Sequence, residues 1–170
     1  MSHDPTTLVP GSGATAPLYL AVGAGGEGVL RTFFTGRAAT CSALLLVAGK
    51  SAGARRWGVE AAVQLASAAA RHRRTVILAD LDLDAPLLHE RLGDPGDEGA
   101  TDVILYGVSV RHAARPVEGR GFSLLPAGPP AADPGEVLIH PHWSIVFAEV
   151  ARAQGLLLLY VPADAPGLAD

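Results

Sequence analysis

The chain has 170 residues, 49% of them apolar and 18% charged, with a formal net charge of −4 and a sequence pI of about 5.8. That length carries one domain with a full core, the apolar share argues against disorder throughout, and the acidic balance leaves nothing to recruit a nucleic-acid backbone globally. A single cysteine, Cys41, excludes an internal disulfide and any multi-cysteine metal site.

Residues 1–17 are rich in Pro, Gly, Ser and Thr and read as a flexible tail. Met1–Pro10 carries Asp4 and lacks the basic and apolar regions of a signal peptide. The longest apolar runs, Leu44–Ala48 and Leu156–Val161, fall far short of the ~20 residues that cross a bilayer, so a cytoplasmic location is expected. Residues 18–170 read as a single α/β domain. Leu18–Val22 is a short apolar run before Gly23-Ala24-Gly25-Gly26-Glu27-Gly28, and Val29–Phe34 a short helix. Ser42–Ala48 is a continuous apolar run of the buried-strand type, bounded by Gly49. Trp57–His72 has Val59, Ala62, Val63, Ala66 and Ala70 at helical spacing, with Arg71-His72-Arg73-Arg74 at the end that the helix dipole favours for cations.

Thr75–Asp80 is a second buried strand ending in acids, followed by a short helix through Leu88 and Leu92 that Gly93 closes. Asp94–Gly99 is a connector, Thr101–Tyr106 a short helix, Gly121–Leu125 a third strand, His142–Gln154 a helix and Leu156–Val161 the last strand. Strands alternating with helices predict a mostly parallel sheet flanked by helices. Right-handed crossovers then gather the loops after each strand at one edge, where such sheets bind ligands.

Two stretches at that edge have the residue types for phosphate chemistry. The first runs Gly49-Lys50-Ser51-Ala52-Gly53-Ala54-Arg55-Arg56-Trp57-Gly58-Val59, between strand and Ala-rich helix. A phosphate loop needs glycines for backbone approach, a lysine for the β/γ-phosphates and a hydroxyl for Mg²⁺. Anchored on Gln64-Leu65-Ala66, the lysine position falls on Gly58 and the hydroxyl position on Val59, with Trp57 where a glycine belongs. Lys50, Ser51, Gly53, Arg55, Arg56 and Gly58 are the candidate nucleotide-binding residues, set against the plainer reading of solvated charges on a connector. The second stretch is Asp80, Asp82 and Asp84. Asp80 and Asp82 are the candidate catalytic carboxylates and Asp80 the candidate Mg²⁺ ligand, since a hard cation prefers carboxylate oxygens; a polar strand end with a helix cap is the alternative. At the end of the last strand, where a P-loop ATPase usually carries an aspartate that supports Mg²⁺, stands Tyr160. Asp164 beyond it reads as a loop residue.

The order of these motifs resembles the ATPase domain of bacterial tyrosine autokinases and their relatives in capsule and exopolysaccharide synthesis, within the ParA/MinD-like P-loop superfamily. Glu27 with Leu30-Arg31-Thr32 is similar to the family's Arg-Thr-Leu-Arg-Thr helix. Thr75–Leu83, with Pro86, Leu88, His89, Leu92 and Gly93, is similar to its second acidic motif. Gly99–Leu105 resembles its Gly-Leu-Ser-Asp-Val-Leu segment. Leu124–Pro129 and Asp133–Leu138 resemble its Leu-Pro-Ala-Gly and Asn-Pro-Ala-Glu-Leu-Leu segments. The resemblance covers roughly Glu27 to the C-terminus. It implies a P-loop NTPase-like, three-layer α/β/α fold, here incomplete at the C-terminal side, with ATP and Mg²⁺ as ligands, self-association in a ring, and a membrane polysaccharide co-polymerase or related regulatory protein as partner, which would bring the chain to the inner membrane peripherally. Against that pattern the phosphate-loop lysine and hydroxyl are missing, the loop is about two residues long, and the family's tyrosine cluster is absent, Tyr19, Tyr106 and Tyr160 being scattered. The expectation is therefore a non-catalytic or weakly nucleotide-binding regulatory module, with an ATPase or tyrosine kinase using Lys50 or Arg56 with Asp80 and Asp82 as the alternative.

Gly23–Gly28 also matches the G-x-G-x-x-G pattern of an NADP-binding oxidoreductase, but the acid expected after the next strand is missing. His140-Pro141-His142 lacks nearby acids for a metal site, His72 reads as solvated, Trp57 and Trp143 as packing residues, and Ser109 and Ser123 have no His/Asp company. A sheet shortened at one edge is expected to self-associate or to be poorly soluble.

Overall fold

The computed structural model describes residues 41–73 and 75–166. The expected tail, the run Leu18–Val22, the glycine-rich Gly23–Gly28 and the helix Val29–Phe34 lie outside the described residues. Among the described residues the strands are β1 (Ala43–Ala48), β2 (Val76–Asp80), β3 (Arg115–Pro116), β4 (Ser123–Leu125) and β5 (Leu156–Pro162). The helices among the described residues are α1 (Ala52–Ala70), α2 (Leu88–Leu92), α3 (Ala100–Tyr106), α4 (Val110–Ala113), α5 (Pro134–Ile139) and α6 (Trp143–Arg152). The strand order is β1-β5-β2-β4-β3, parallel except for the antiparallel β3–β4 pair. The expected three-layer arrangement is present. On one face α1 and α2 bury Val59, Ala62, Val63, Ala66 and Leu88 against Leu78, Leu124 and Leu158. On the other, α3 to α6 bury Ile104, Val110, Val137 and Trp143 against Ile77, Leu125 and Leu157.

Several sequence expectations need correction. β1 is not buried on both faces: it pairs only with β5 among the described residues, and Leu45 and Val47 are 53% and 48% exposed on the face away from α1. The long helix begins at Ala52, not Trp57. Ser51 is its N-cap, with Oγ accepting the Ala54 N–H at 3.2 Å, and the Arg55 N–H donates to the Ser51 carbonyl at 2.9 Å. Ala and Arg are strong helix formers, and a capped start followed by Ala-Gly-Ala-Arg-Arg has no reason to stay a loop.

The sequence pattern also leaves α4, β3 and α5 unread. α5 has a cap of its own, Asp133 Oδ1 accepting from Gly135 N at 2.9 Å, with Pro134 at the first helical position, where a missing N–H costs nothing. Trp143 packs as expected: its Nε1–H donates to the Val137 carbonyl at 2.8 Å, joining α5 to α6. Trp57 does not pack and is 57% exposed.

Candidate functional site at the carboxyl edge of the sheet

The carboxyl ends of β1, β5 and β2 lie side by side, the Leu45–Leu159 and Ala79–Leu159 registers carrying through to Ala48, Pro162 and Asp80. Only Gly49, Lys50 and Ser51 separate β1 from α1. The long phosphate loop expected over Gly49–Val59 is thus replaced by a three-residue turn and nearly two turns of helix. A phosphate loop presents its backbone N–H groups to the anion; here, past the first turn, those groups bond within α1.

The candidate residues are dispersed accordingly. Lys50 and Gly53 are exposed, Arg56 is exposed on the outer side of α1, and the Ser51 hydroxyl is used as the helix cap. Gly58 is buried beneath α1, where a Cβ would stand 2.7 Å from Ala48 Cβ and 3.1 Å from Tyr160 Cε2. The ring of Tyr160 fills the space that this glycine leaves, and its hydroxyl donates to the Arg55 carbonyl at 3.0 Å. Burial foremost, with the charges of Asp82 and Asp80 behind it, pushes the Tyr160 phenol up to about 12, so it stays protonated.

Arg55 alone among the candidate cations meets the acids. Its Nη1 donates to both Asp82 oxygens, at 3.0 and 2.9 Å, and its Nη2 to Asp164 Oδ1 at 2.8 Å. One guanidinium thus ties the start of α1 to the segments after β2 and β5. Asp164 is a partner in this bridge rather than a plain loop residue. Burial lowers the Arg55 pKa, but attraction to Asp82 and Asp164 outweighs it and leaves the group above its usual value. At Asp82 burial prevails over Arg55, and the carboxyl is raised. Asp80 is wholly buried; its Oδ1 accepts from Asp82 N at 3.1 Å and its Oδ2 from Leu88 N at 3.0 Å, so it fastens the start of α2. Desolvation pushes it up to about 7 against those backbone donors. Asp84 is exposed.

In this arrangement Asp80 and Asp82 turn no free oxygen toward a Mg²⁺·nucleotide. Both Asp82 oxygens face Arg55 and both Asp80 oxygens face backbone donors. The cavity beside the bridge, lined by Arg55, Asp82, Asp84 and Asp164, holds about 50 Å³, room for a water and well short of a small-ligand pocket.

No protein-family model matches the chain. A stretch of 98 residues, 58% of this chain, is 26% identical to the tyrosine-protein kinase wzc of Salmonella typhi and spans 14% of that protein. The kinase domain of the Escherichia coli tyrosine kinase ETK superposes over 85% of this chain and 55% of its own, with a TM-score of 0.67 at 18% identity. The BceF tyrosine kinase domain does so over 80% and 52%, with a TM-score of 0.62 at 19% identity. The chain resembles the bacterial tyrosine-autokinase ATPase domain in both sequence and fold. It spans little more than half of those solved domains.

Two of the segments that carry the resemblance, Gly99–Leu105 and Leu124–Pro129, meet at one junction. Gly99 meets Pro126–Gly128 backbone to backbone, Ala100 N donating to the Pro126 carbonyl at 2.7 Å and Thr101 N to the Ala127 carbonyl at 3.0 Å. Asp102 Oδ2 accepts the Gly99 N–H at 2.9 Å and closes the junction. A Cβ on Gly99 would fall 2.1 Å from the Pro126 oxygen, so glycine is required there. Both of these segments are thus fixed by backbone packing. Sequence reasoning missed Asp164 and the Gly58–Tyr160 fit because the bridge spans 27 and 109 residues. Only the pairing of a glycine with a tyrosine at the aspartate position hinted at it.

No helix among the described residues is long and apolar enough to cross a membrane.

Proposed function

We propose that the chain is a non-catalytic regulatory module of the exopolysaccharide tyrosine-autokinase kind, which keeps the kinase fold as a scaffold and acts through protein contacts. The observation that carries this reading is the junction of β1 and α1: three residues long, with Arg55 held by Asp82 and Asp164 and Gly58 filled by Tyr160. Phosphoryl transfer depends almost wholly on positioning and on charge aimed at the phosphates. Here the central cation is spent on carboxylates, and the lysine position holds a buried glycine. ATP and Mg²⁺ are accordingly bound weakly or not at all. By analogy with the related kinases, the partner is a membrane polysaccharide co-polymerase or a regulator attached to one, which places this chain in the cytoplasm at the inner membrane face.

Incubation with Mg²⁺ and radiolabelled ATP tests the proposal. The expected result is neither labelled tyrosine nor released phosphate above a no-protein blank. Turnover lost on Asp80→Ala, and weakened on removal of Lys50 or Arg56, would favour instead an active enzyme with a non-standard phosphate loop.

A further inference from the structure

Trp57 lies on the outer stripe of α1 with Gly53, Arg56, Glu60 and Gln64, all exposed and at helical spacing. Helical side chains lean toward the N-terminus, which takes the indole over the turn of Gly53, where nothing among the described residues stands within 4 Å of the position a Cβ would take. An open ledge therefore adjoins an aromatic ring that is more than half exposed.

The charges around this ledge are unbalanced. Arg55 is committed to Asp82 and Asp164. Glu60, the acid on the stripe, is taken by Arg91 through both oxygens, and that hydrogen bonding holds its carboxyl below the usual range. The first turn of α1 has no acid. Lys50 and Arg56 remain, exposed and without an ion pair among the described residues. A chain of net charge −4 thus presents two uncommitted cations on the approach to an exposed indole, Arg56 next to Trp57 in α1 and Lys50 just before the N-cap.

We propose that this face of α1 docks an acidic peptide segment of a partner protein, with an apolar side chain of the segment laid on Trp57 beside Gly53 and its carboxylates on Arg56 and Lys50. Trp and Arg are the residues that most often dominate the energy of a protein contact, and complementary charge sets the choice of partner. Two cations on an acidic chain are too few to hold a polyphosphate backbone or an anionic bilayer. The inference rests on the reading that the domain works through protein contacts, and it names the chemistry of the contact.

The test uses the full chain and a fluorescein-labelled peptide rich in Glu and Asp with one central phenylalanine, followed by fluorescence anisotropy, beside the same peptide with Gln in place of the acids. The acidic peptide is expected to bind and the Gln peptide not. Arg56→Glu and Trp57→Ala, both at exposed positions, are each expected to weaken binding about tenfold or more, while Arg111→Glu, in the open groove that also holds Arg152, leaves it unchanged. No binding, or equal weakening by Arg111→Glu, would overturn the proposal. Self-association lost on Trp57→Ala, with the peptide unbound, would overturn it in favour of a second copy of this chain. Nucleotide titration of the same sample reads the scaffold proposal separately, so failure of one does not mimic failure of the other.

Discussion

Replacing Gly58 by alanine sets two effects of similar size against each other, and the geometry decides between them. In the interior of α1 the change gains about 1 kcal/mol of helix propensity. The new Cβ, however, stands 2.7 Å from Ala48 Cβ and 3.1 Å from Tyr160 Cε2, against the ~3.5–4.0 Å at which carbon atoms attract. Ala48 is fixed to the backbone of β1 and cannot swing aside, and Tyr160 is wholly buried with its hydroxyl tied to Arg55. Overpacking of this kind costs about 1–3 kcal/mol, so the net expectation is a loss of about 1 kcal/mol, or a melting temperature lower by roughly 3 °C. Thermal and urea unfolding of Gly58→Ala, Ala48→Gly and the double variant measure it. The double variant is expected to be more stable than the two single losses add up to, because Ala48→Gly removes the nearest clash. A Gly58→Ala protein more stable than the parent would refute the close packing of Gly58 on β1. By the same reasoning Gly58→Lys, which restores the residue type of a phosphate loop, unfolds the junction instead of recovering nucleotide binding.

Asp80 has its folded pKa raised from 3.8 to about 7, so between those values the folded state holds a proton that the unfolded state releases. Its contribution is full below pH ~4 and is lost as pH rises through ~7, a change of about 4 kcal/mol; denaturant unfolding of parent and Asp80→Asn across that range should show the parent losing stability relative to the variant. Arg55→Ala leaves buried Asp82 without its counter-charge and is expected to cost about 2–3 kcal/mol, whereas Asp164→Asn, at the 38% exposed end of the bridge, stays within about 0.5 kcal/mol. Equal effects of the two substitutions in urea unfolding would contradict that division. Gly99→Ala forces the Pro126 and Gly128 backbone away from α3 and is expected to lower stability by about 3 kcal/mol or more, read by thermal unfolding.

The parts of the fold that rest on local pattern could be read from the sequence. Three apolar runs became β1, β2 and β5, and the Ala-rich segment from Val59 onward became the inner face of α1. The start of α1 was misplaced because Gly53 and Gly58 suggest a loop, while the cap at Ser51 outweighs them and Gly58 serves packing instead. Asp133-Pro134 with Glu136 is a readable helix start that a loop resemblance obscured. At the site, the acids after β2 were legible as a group, yet their roles were not. Asp80 binds backbone and Asp82 binds Arg55, and both assignments depend on residues brought together only by the β1-β5-β2 order. The exposure of Trp57 and of Leu45 and Val47 likewise follows from what packs beside each element, which no local pattern records.

Titration of the purified chain with a fluorescent ATP analogue, with and without Mg²⁺, tests the central claim most directly. The account predicts no saturable binding at roughly millimolar nucleotide and no change on adding Mg²⁺. Tight, Mg²⁺-dependent binding that Asp80→Ala abolishes would contradict it.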